Sequence, residues 1–272
     1  MRVDTDAGEA WIKLPENPHG PHALVGEVVG TRLAEWLGLS TFEVCILEAP
    51  ILSLPDGTKS QAGLAFAARK VVGQPWGGDD EQLARLANPH DLAGLVVVDT
   101  WTRNHDRYSA RGGTIRRNLH NVFFGHEGVG DDQLKLLAMD FTQAVRCEAG
   151  AITRHSCAID YERHTDVFGL FPEFRPYTTV DRVQHFLRRL AQFRREDAHA
   201  VVGSVPQAWH LSAEVRERVT DFLVGRAAYL TEHLEGLWVG EVARLVAAEA
   251  EAAAEAAQDV RAGEETGETG EA

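Results

Sequence analysis

Asp99-Thr100-Trp101-Thr102-Arg103-Asn104-His105-Asp106-Arg107 closes an apolar run that begins at Leu92, and the chain later carries Asn121-Val122-Phe123-Phe124 and Leu136-Leu137-Ala138-Met139-Asp140-Phe141. Asn121 follows Asp106 by fifteen residues and Asp140 follows Asn121 by nineteen. Each of these oxygen-bearing side chains lies beside an apolar segment. Val122 to Phe124 and Leu134 to Met139 read as short strands joined by a Gly- and Asp-rich connection, so they form a hairpin. Such a hairpin holds Asn121 and Asp140 at its two open ends, next to the loop that carries Asp106.

Upstream, Ala-Trp-Ile-Lys-Leu (residues 10 to 14) is a strand-like run ended by the proline and glycine loop from Pro15 to Pro21. Val25, Val28, Val29, Leu33, Trp36 and Leu37 then recur at helical spacing, and Gly38 supplies the stop. Phe42 to Glu48, Ile51 to Leu54 and Gly63 to Val72 read as strands, with Asp56-Gly57 as a turn signal. Gln74-Pro75-Trp76-Gly77-Gly78 reads as a connection, because the pattern changes after it from strand-like to helix-like. Helices are expected over 79 to 86, 91 to 101, 180 to 194, 196 to 203 and 213 to 236. The expected organisation is a small β-rich lobe (residues 1–73), a larger helical lobe with one hairpin (79–240) and an acidic Ala, Glu and Gly tail (245–272) of frayed helix or disorder.

Composition narrows the function classes. A hydrophobic fraction of 44% with 25% charged residues is that of a globular chain with a packed core. The apolar run from Leu92 to Val98 is far below the roughly 20 residues of a membrane span. Met1-Arg2-Val3-Asp4 has no apolar signal segment, so a cytoplasmic location without membrane contact is expected. Cys45, Cys147 and Cys157 form no CxxC pair, which argues against a disulfide framework or a zinc site and for partly buried free thiols. The net charge is −14, and the stretch from Glu249 onward, with eight acids and one base, holds half of it. No general basic surface for nucleic acid is expected.

Phosphoryl transfer relies on positioning and charge neutralisation more than on covalent chemistry. Asp106 suits proton abstraction from an acceptor hydroxyl, and Asn121 and Asp140 are hard oxygen donors of the kind magnesium takes on ATP phosphates. Trp11-Ile12-Lys13-Leu14-Pro15-Glu16-Asn17-Pro18-His19-Gly20, Leu24-Val25-Gly26-Glu27, the Asp99 to Arg107 segment and Ala138-Met139-Asp140-Phe141 resemble the HipA-like kinase family. Phe168-Gly169-Leu170-Phe171-Pro172-Glu173-Phe174 and Val205-Pro206-Gln207-Ala208-Trp209 extend the resemblance over about residues 8 to 235. It implies a two-lobed, α+β protein-kinase-like fold, with a small β-rich N-lobe and a larger, mainly helical C-lobe. It further implies that Lys13 contacts the ATP phosphates and pairs with Glu27, that Asp106 is the catalytic base, and that Asn121 and Asp140 bind Mg2+. The acceptor is a protein serine or threonine or a small-molecule alcohol.

The chain departs from that pattern at three places. No glycine-rich loop precedes Lys13, where only Gly8 stands. Tyr108 to Arg117 is inserted between Asp106 and Asn121, so Asn118 competes with Asn121 as metal ligand. Asp140 is followed by Phe141-Thr142 instead of Phe-Gly. Arg103, Arg107, Arg111, Arg116 and Arg117 form a local basic cluster that reads either as phosphate recruitment or as a solvated loop. These departures leave a second reading, a nucleotide-binding pseudokinase that serves as an interaction module. Trp11, Trp101 and Trp209 are expected in the core or packed between the lobes.

Overall fold

The computed structural model describes residues 1–111, 114–146 and 151–267. Its β-rich part contains β1 (Arg2–Thr5), β2 (Gly8–Lys13), β3 (Val44–Ala49) and β4 (Gly63–Arg69), paired antiparallel in the order β1-β2-β4-β3. Gly8, at φ 113, opens β2 after the short turn at Asp6-Ala7. Helix α1 (Pro21–Leu37) starts with proline at its first position, where the missing N–H costs nothing, and stops at left-handed Gly38. The helical part comprises α2 (Asp80–Ala84), α3 (Asp91–Thr102), α4 (Ile159–Glu162), α5 (Val180–Leu190), α6 (Arg195–Gly203) and α7 (Ala213–Gly267). A smaller β-rich part and a larger helical part give the expected α+β architecture.

Three short strands lie beside the helices: β5 (Gly73–Pro75), β8 (Phe123–Gly125) and β9 (Lys135–Leu137), in the order β5-β8-β9. The expected hairpin is β8–β9, paired from Phe123↔Leu137 to Gly125↔Lys135. The segment read as a connection joins this sheet as β5, and its Trp76 is buried against Phe171 and Phe174. The stretch inserted after Asp106 folds as a second ribbon, β6 (Tyr108–Arg111) with β7 (Thr114–Arg117).

The core explains why α1 sits where it does. Leu24, Val25, Val28, Val29, Leu33 and Leu37 of α1 share one apolar cluster with α3, α5, α6 and α7, whereas Ile12, Leu14, Ala49, Ala65 and Ala67 form a smaller cluster in the sheet. Trp36 packs edge-on to Trp101 and Phe193. Helix α1 is therefore seated in the helical body, although its sequence lies between strands. Trp209 ties the two parts directly, donating from Nε1 to Leu64 O at 3.0 Å.

Several sequence expectations need correction. Ile51 to Leu54 is not a strand, because Pro50 and Pro55 flank it and Leu54 closes a tight turn with Thr58 and Gly57; one bridge, Ser53 to Lys59, remains. Trp11 is 52% exposed, since alternation along β2 buries Ala10 and Ile12 instead. Trp101 and Trp209 are fully buried. Cys45 is exposed and Cys157 half-buried, while Cys147 lies outside the described residues. Helix α7 runs unbroken past Gly236 and Gly240, with Leu245 buried and Arg175 donating to Glu249.

Candidate active site

A cavity of about 410 Å³ opens between the four-stranded sheet and the helical part. Trp11, Val44 and Ala68 line it from the sheet, Phe123 and Met139 from the other side, and Lys13, Glu27 and Asp140 at its polar end. Val71 borders the same space between β4 and β5, and its main chain takes part in neither ladder.

At the polar end, four side chains form one network. Lys13, the last residue of β2, donates from Nζ to Glu27 Oε1, to Asp140 Oδ1 at 3.2 Å and to Thr142 Oγ1 at 3.1 Å. The Thr142 hydroxyl lies 2.6 Å from Glu27 Oε1 and 2.8 Å from Asp140 Oδ1, so its single proton serves one of the two. Phe141 N–H donates to the second Glu27 oxygen at 3.2 Å. Glu27 is 2% exposed in the second turn of α1, so it does not merely complement the helix dipole at an exposed first turn.

Charge and burial oppose one another here. Burial alone would lower the Lys13 pKa, but the carboxylates of Glu27 and Asp140 outweigh it and hold the ammonium above its ordinary value. Burial pushes the Glu27 carboxyl up, against the attraction of Lys13. Burial also acts to raise Asp140, yet the Lys13 charge and the Thr142 hydroxyl prevail and bring its carboxyl down to about 2. Asp140 is thus ionised at neutral pH. Its backbone is left-handed, with φ 57, a conformation that aspartate tolerates better than most residues.

The close fit of α1 to this segment depends on two glycines. A Cβ on Gly26 would stand 2.6 Å from Phe141 O, and one on Gly30 would stand 2.2 Å from Phe141 Cβ. No larger residue fits at either position without displacement. Gly26 and Gly30 occupy one face of α1, a spacing that marks a close approach.

Asp106 lies on the loop after α3, which ends at left-handed Arg103. Asp106 Oδ2 accepts from Asn121 Nδ2 at 3.1 Å and from Asn118 Nδ2 at 3.5 Å, and its Oδ1 accepts from Arg116 Nη1 at 3.1 Å. Asn121 is buried, and its donation to Asp106 leaves the amide oxygen as the available donor for a cation. The loop is tied to Asp140 through the backbone: Arg107 donates to Met139 O at 2.7 Å and Asn104 to Asp140 O at 3.3 Å. Asp106, Asn121 and Asp140 are therefore held by one set of connected segments, with Lys13 and Glu27 joined through Asp140.

Reading the sequence missed the support for this loop. Arg107 is fully buried and pairs with fully buried Asp99 at 2.7 Å, while Asn104 donates to the other Asp99 oxygen at 2.9 Å. Burial pushes the Asp99 carboxyl up, partly offset by the Arg107 charge. Gly169, at φ +79, faces Asp99, where a Cβ would stand 2.3 Å from Oδ2. The arginines read as one basic cluster thus separate: Arg103 and Arg107 are buried, while Arg116 and Arg117 sit on exposed strand β7, and the Arg111 side chain lies outside the described ones. His105 lies beside Phe168, and burial lowers its pKa, which favours a neutral ring. Among the described residues no three His, Cys, Asp or Glu side chains form a metal cage. Magnesium completed by nucleotide phosphates asks for only one or two protein oxygens.

No family model matches the chain, and no curated protein matches it. Among solved structures, it is similar to HipA of Shewanella oneidensis MR-1, from a toxin–antitoxin complex of HipA, HipB and operator DNA. Identity is 12% and the TM-score 0.45, over 86% of this chain and 60% of that one. The chain thus spans 60% of the length of that neighbour.

Proposed function

We propose that this chain is a HipA-like kinase that binds ATP with magnesium in the cleft and transfers the γ-phosphoryl group to a hydroxyl acceptor. The observation that carries this reading is the network of Lys13, Glu27, Asp140 and Thr142 at the polar end of the cavity, tied by main-chain bonds to the loop of Asp106 and Asn121. The apolar walls suit a nucleobase, and the Val71 main chain offers it an N–H and a carbonyl. Lys13, steadied by Glu27, binds the phosphates. Asn121 and Asp140 hold the magnesium, which neutralises charge on the β- and γ-phosphates when bound.

Asp106 accepts the proton of the acceptor hydroxyl as that oxygen bonds to the γ-phosphorus. The bond from phosphorus to the bridging oxygen breaks, and its electron pair leaves with ADP. The acceptor is a protein serine or threonine or a small alcohol. The location that fits is the cytoplasm; no described helix is long and apolar enough to cross a membrane.

A second reading, a nucleotide-binding pseudokinase acting as an interaction module, is favoured by the Arg116 contact, because it occupies an oxygen of Asp106 that an acceptor hydroxyl would need. Calorimetric titration with ATP in the presence and absence of magnesium tests the site itself. Wild type is expected to bind more tightly with the metal, and Asp140→Ala to lose that metal-dependent gain. Equal affinity of the two proteins under both conditions would remove the metal assignment.

A further inference from the structure

We infer that Arg116, delivered by the β6–β7 ribbon, is a catalytic residue that holds the transferred phosphoryl group from the acceptor side. This rests on the kinase reading above and assigns a residue and a structural element that reading leaves unused. The ribbon occupies the chain between Asp106 and Asn121, the two residues whose side chains meet at 3.1 Å, so whatever it presents is presented at that point.

The root of the ribbon is fixed. Tyr108 is buried with its ring 5.0 Å from that of Phe171, its carbonyl accepts from Gly169 N–H at 2.9 Å, and Asn118 N–H donates to Arg107 O at 2.9 Å. Successive residues on a strand point to opposite sides. Arg117 turns away from the cleft, pairing with Glu173 at 2.7 Å above the Phe171 ring. Arg116 turns the other way, its Nη1 lying 3.1 Å from Asp106 Oδ1 with half of the side chain exposed.

An ion pair of this exposure contributes little to stability, so holding the ribbon together does not account for it. Phosphoryl transfer spreads negative charge over the equatorial oxygens of the moving group. Lys13 lies on the nucleotide side of the proposed path, and magnesium held by Asn121 and Asp140 would serve that same side. A guanidinium beside the base supplies the matching positive charge on the acceptor side, and its planar fork suits two phosphoryl oxygens. In the resting protein Asp106 accepts from one nitrogen of that fork, Nη1, at 3.1 Å. The phosphoryl group takes it over during transfer, which also frees Asp106 to accept the proton. The contact that favours an inactive reading is thereby the resting state of an active one.

The experiment is calorimetric titration of the full chain with Mg-ADP, alone and with aluminium fluoride, which with ADP mimics the group in transit. Wild type is expected to bind ADP more tightly when fluoride is present. Arg116→Ala is expected to keep its affinity for Mg-ADP and to lose the fluoride-dependent gain by a factor on the order of 10². Arg116→Lys should fall between them. Because the side chain is half exposed, both variants are expected to fold, with thermal midpoints at the wild-type value. A fluoride-dependent gain in Arg116→Ala equal to or above that of wild type overturns the role of Arg116 while leaving the nucleotide site standing. Wild type that binds no Mg-ADP, or gains nothing from fluoride, overturns the kinase reading itself and this inference with it.

Discussion

Replacing Gly30 by alanine tests the seat of the active-site segment with a single methyl group. In an exposed helix interior this change stabilises by about 1 kcal/mol, because alanine restricts the unfolded chain and favours the helix. At Gly30 the added Cβ meets Phe141 Cβ and Cγ at 2.2 Å and Cδ1 at 2.8 Å, and Phe141 is fully buried. Ordinary carbon contacts begin at about 3.5 Å, so the two segments must separate by more than about 1 Å. The clashing Phe141 Cβ is fixed to the backbone, and no rotamer change relieves it. Overpacking of this kind costs about 1 to 3 kcal/mol, and with the blocked movement the upper half applies. After the helix gain is subtracted, the net loss is about 1 to 2 kcal/mol, or a fall in Tm of roughly 2 to 8 °C for a chain of this size.

The control is Gly236→Ala in α7, where nothing lies within 4 Å of the added carbon. That variant should rise in Tm. Differential scanning calorimetry of both variants measures the contrast, and ATP titration measures its consequence, since moving Phe141 moves Asp140 and Thr142 away from Lys13. A Gly30→Ala protein as stable as Gly236→Ala, with wild-type ATP affinity, would refute the packing of α1 on the Asp140 segment.

Three other changes probe neighbouring parts of the site. Arg107→Met leaves Asp99 buried without its partner and should cost about 3 to 5 kcal/mol in urea unfolding, with a large part recovered in the double variant Asp99→Asn, Arg107→Met. Thr142→Val keeps the shape but removes the hydroxyl shared by Glu27 and Asp140; it should weaken ATP binding about tenfold, the equivalent of one hydrogen bond to a charged group. The Asp140 carboxyl is held at about 2 against an ordinary 3.8, so its stabilisation is complete above about pH 4 and is lost as pH falls towards 2. The loss is on the order of 2 kcal/mol. Asp140→Asn should therefore show a shallower fall in Tm over that range, whereas Glu27, raised by burial from 4.5, acts in the opposite direction at higher pH. A slope identical to that of wild type below pH 4 would contradict the Lys13–Asp140 pairing.

The polar residues of the candidate site were legible because each interrupts or ends an apolar run: Lys13 within a strand, Asp106 after a buried helix, Asn121 and Asp140 at the ends of a hairpin. The hairpin's place beside the Asp106 loop was legible too, but not what ties them, because the bonds from the Asn104 and Arg107 side chains to the carbonyls of Asp140 and Met139 are encoded by no spacing. Burial was the harder part. Periodicity reveals which face of a helix is apolar but not how many neighbours cover the rest, so α1 read as part of a small lobe when its core lies with the helices. Gly26 and Gly30, four apart in that helix, were the available signal of a close approach. The ribbon after Asp106 had a signal too, since Gly112-Gly113 between two short runs is a turn signal in the sequence. The pairing of Asp99 with Arg107 had no signal in the sequence, because their burial arises only in the fold, where Gly169 closes over Asp99.

The central claim is that Asp106 acts as the base in transfer of the γ-phosphoryl group of ATP. Following release of label from γ-labelled ATP, to protein or to water, in wild type and Asp106→Asn measures it directly. Wild type is expected to turn over, and Asp106→Asn to bind Mg-ATP as well as wild type while its rate falls by about 10² to 10⁴. Equal rates in the two proteins, or no transfer by wild type that binds Mg-ATP, would contradict it.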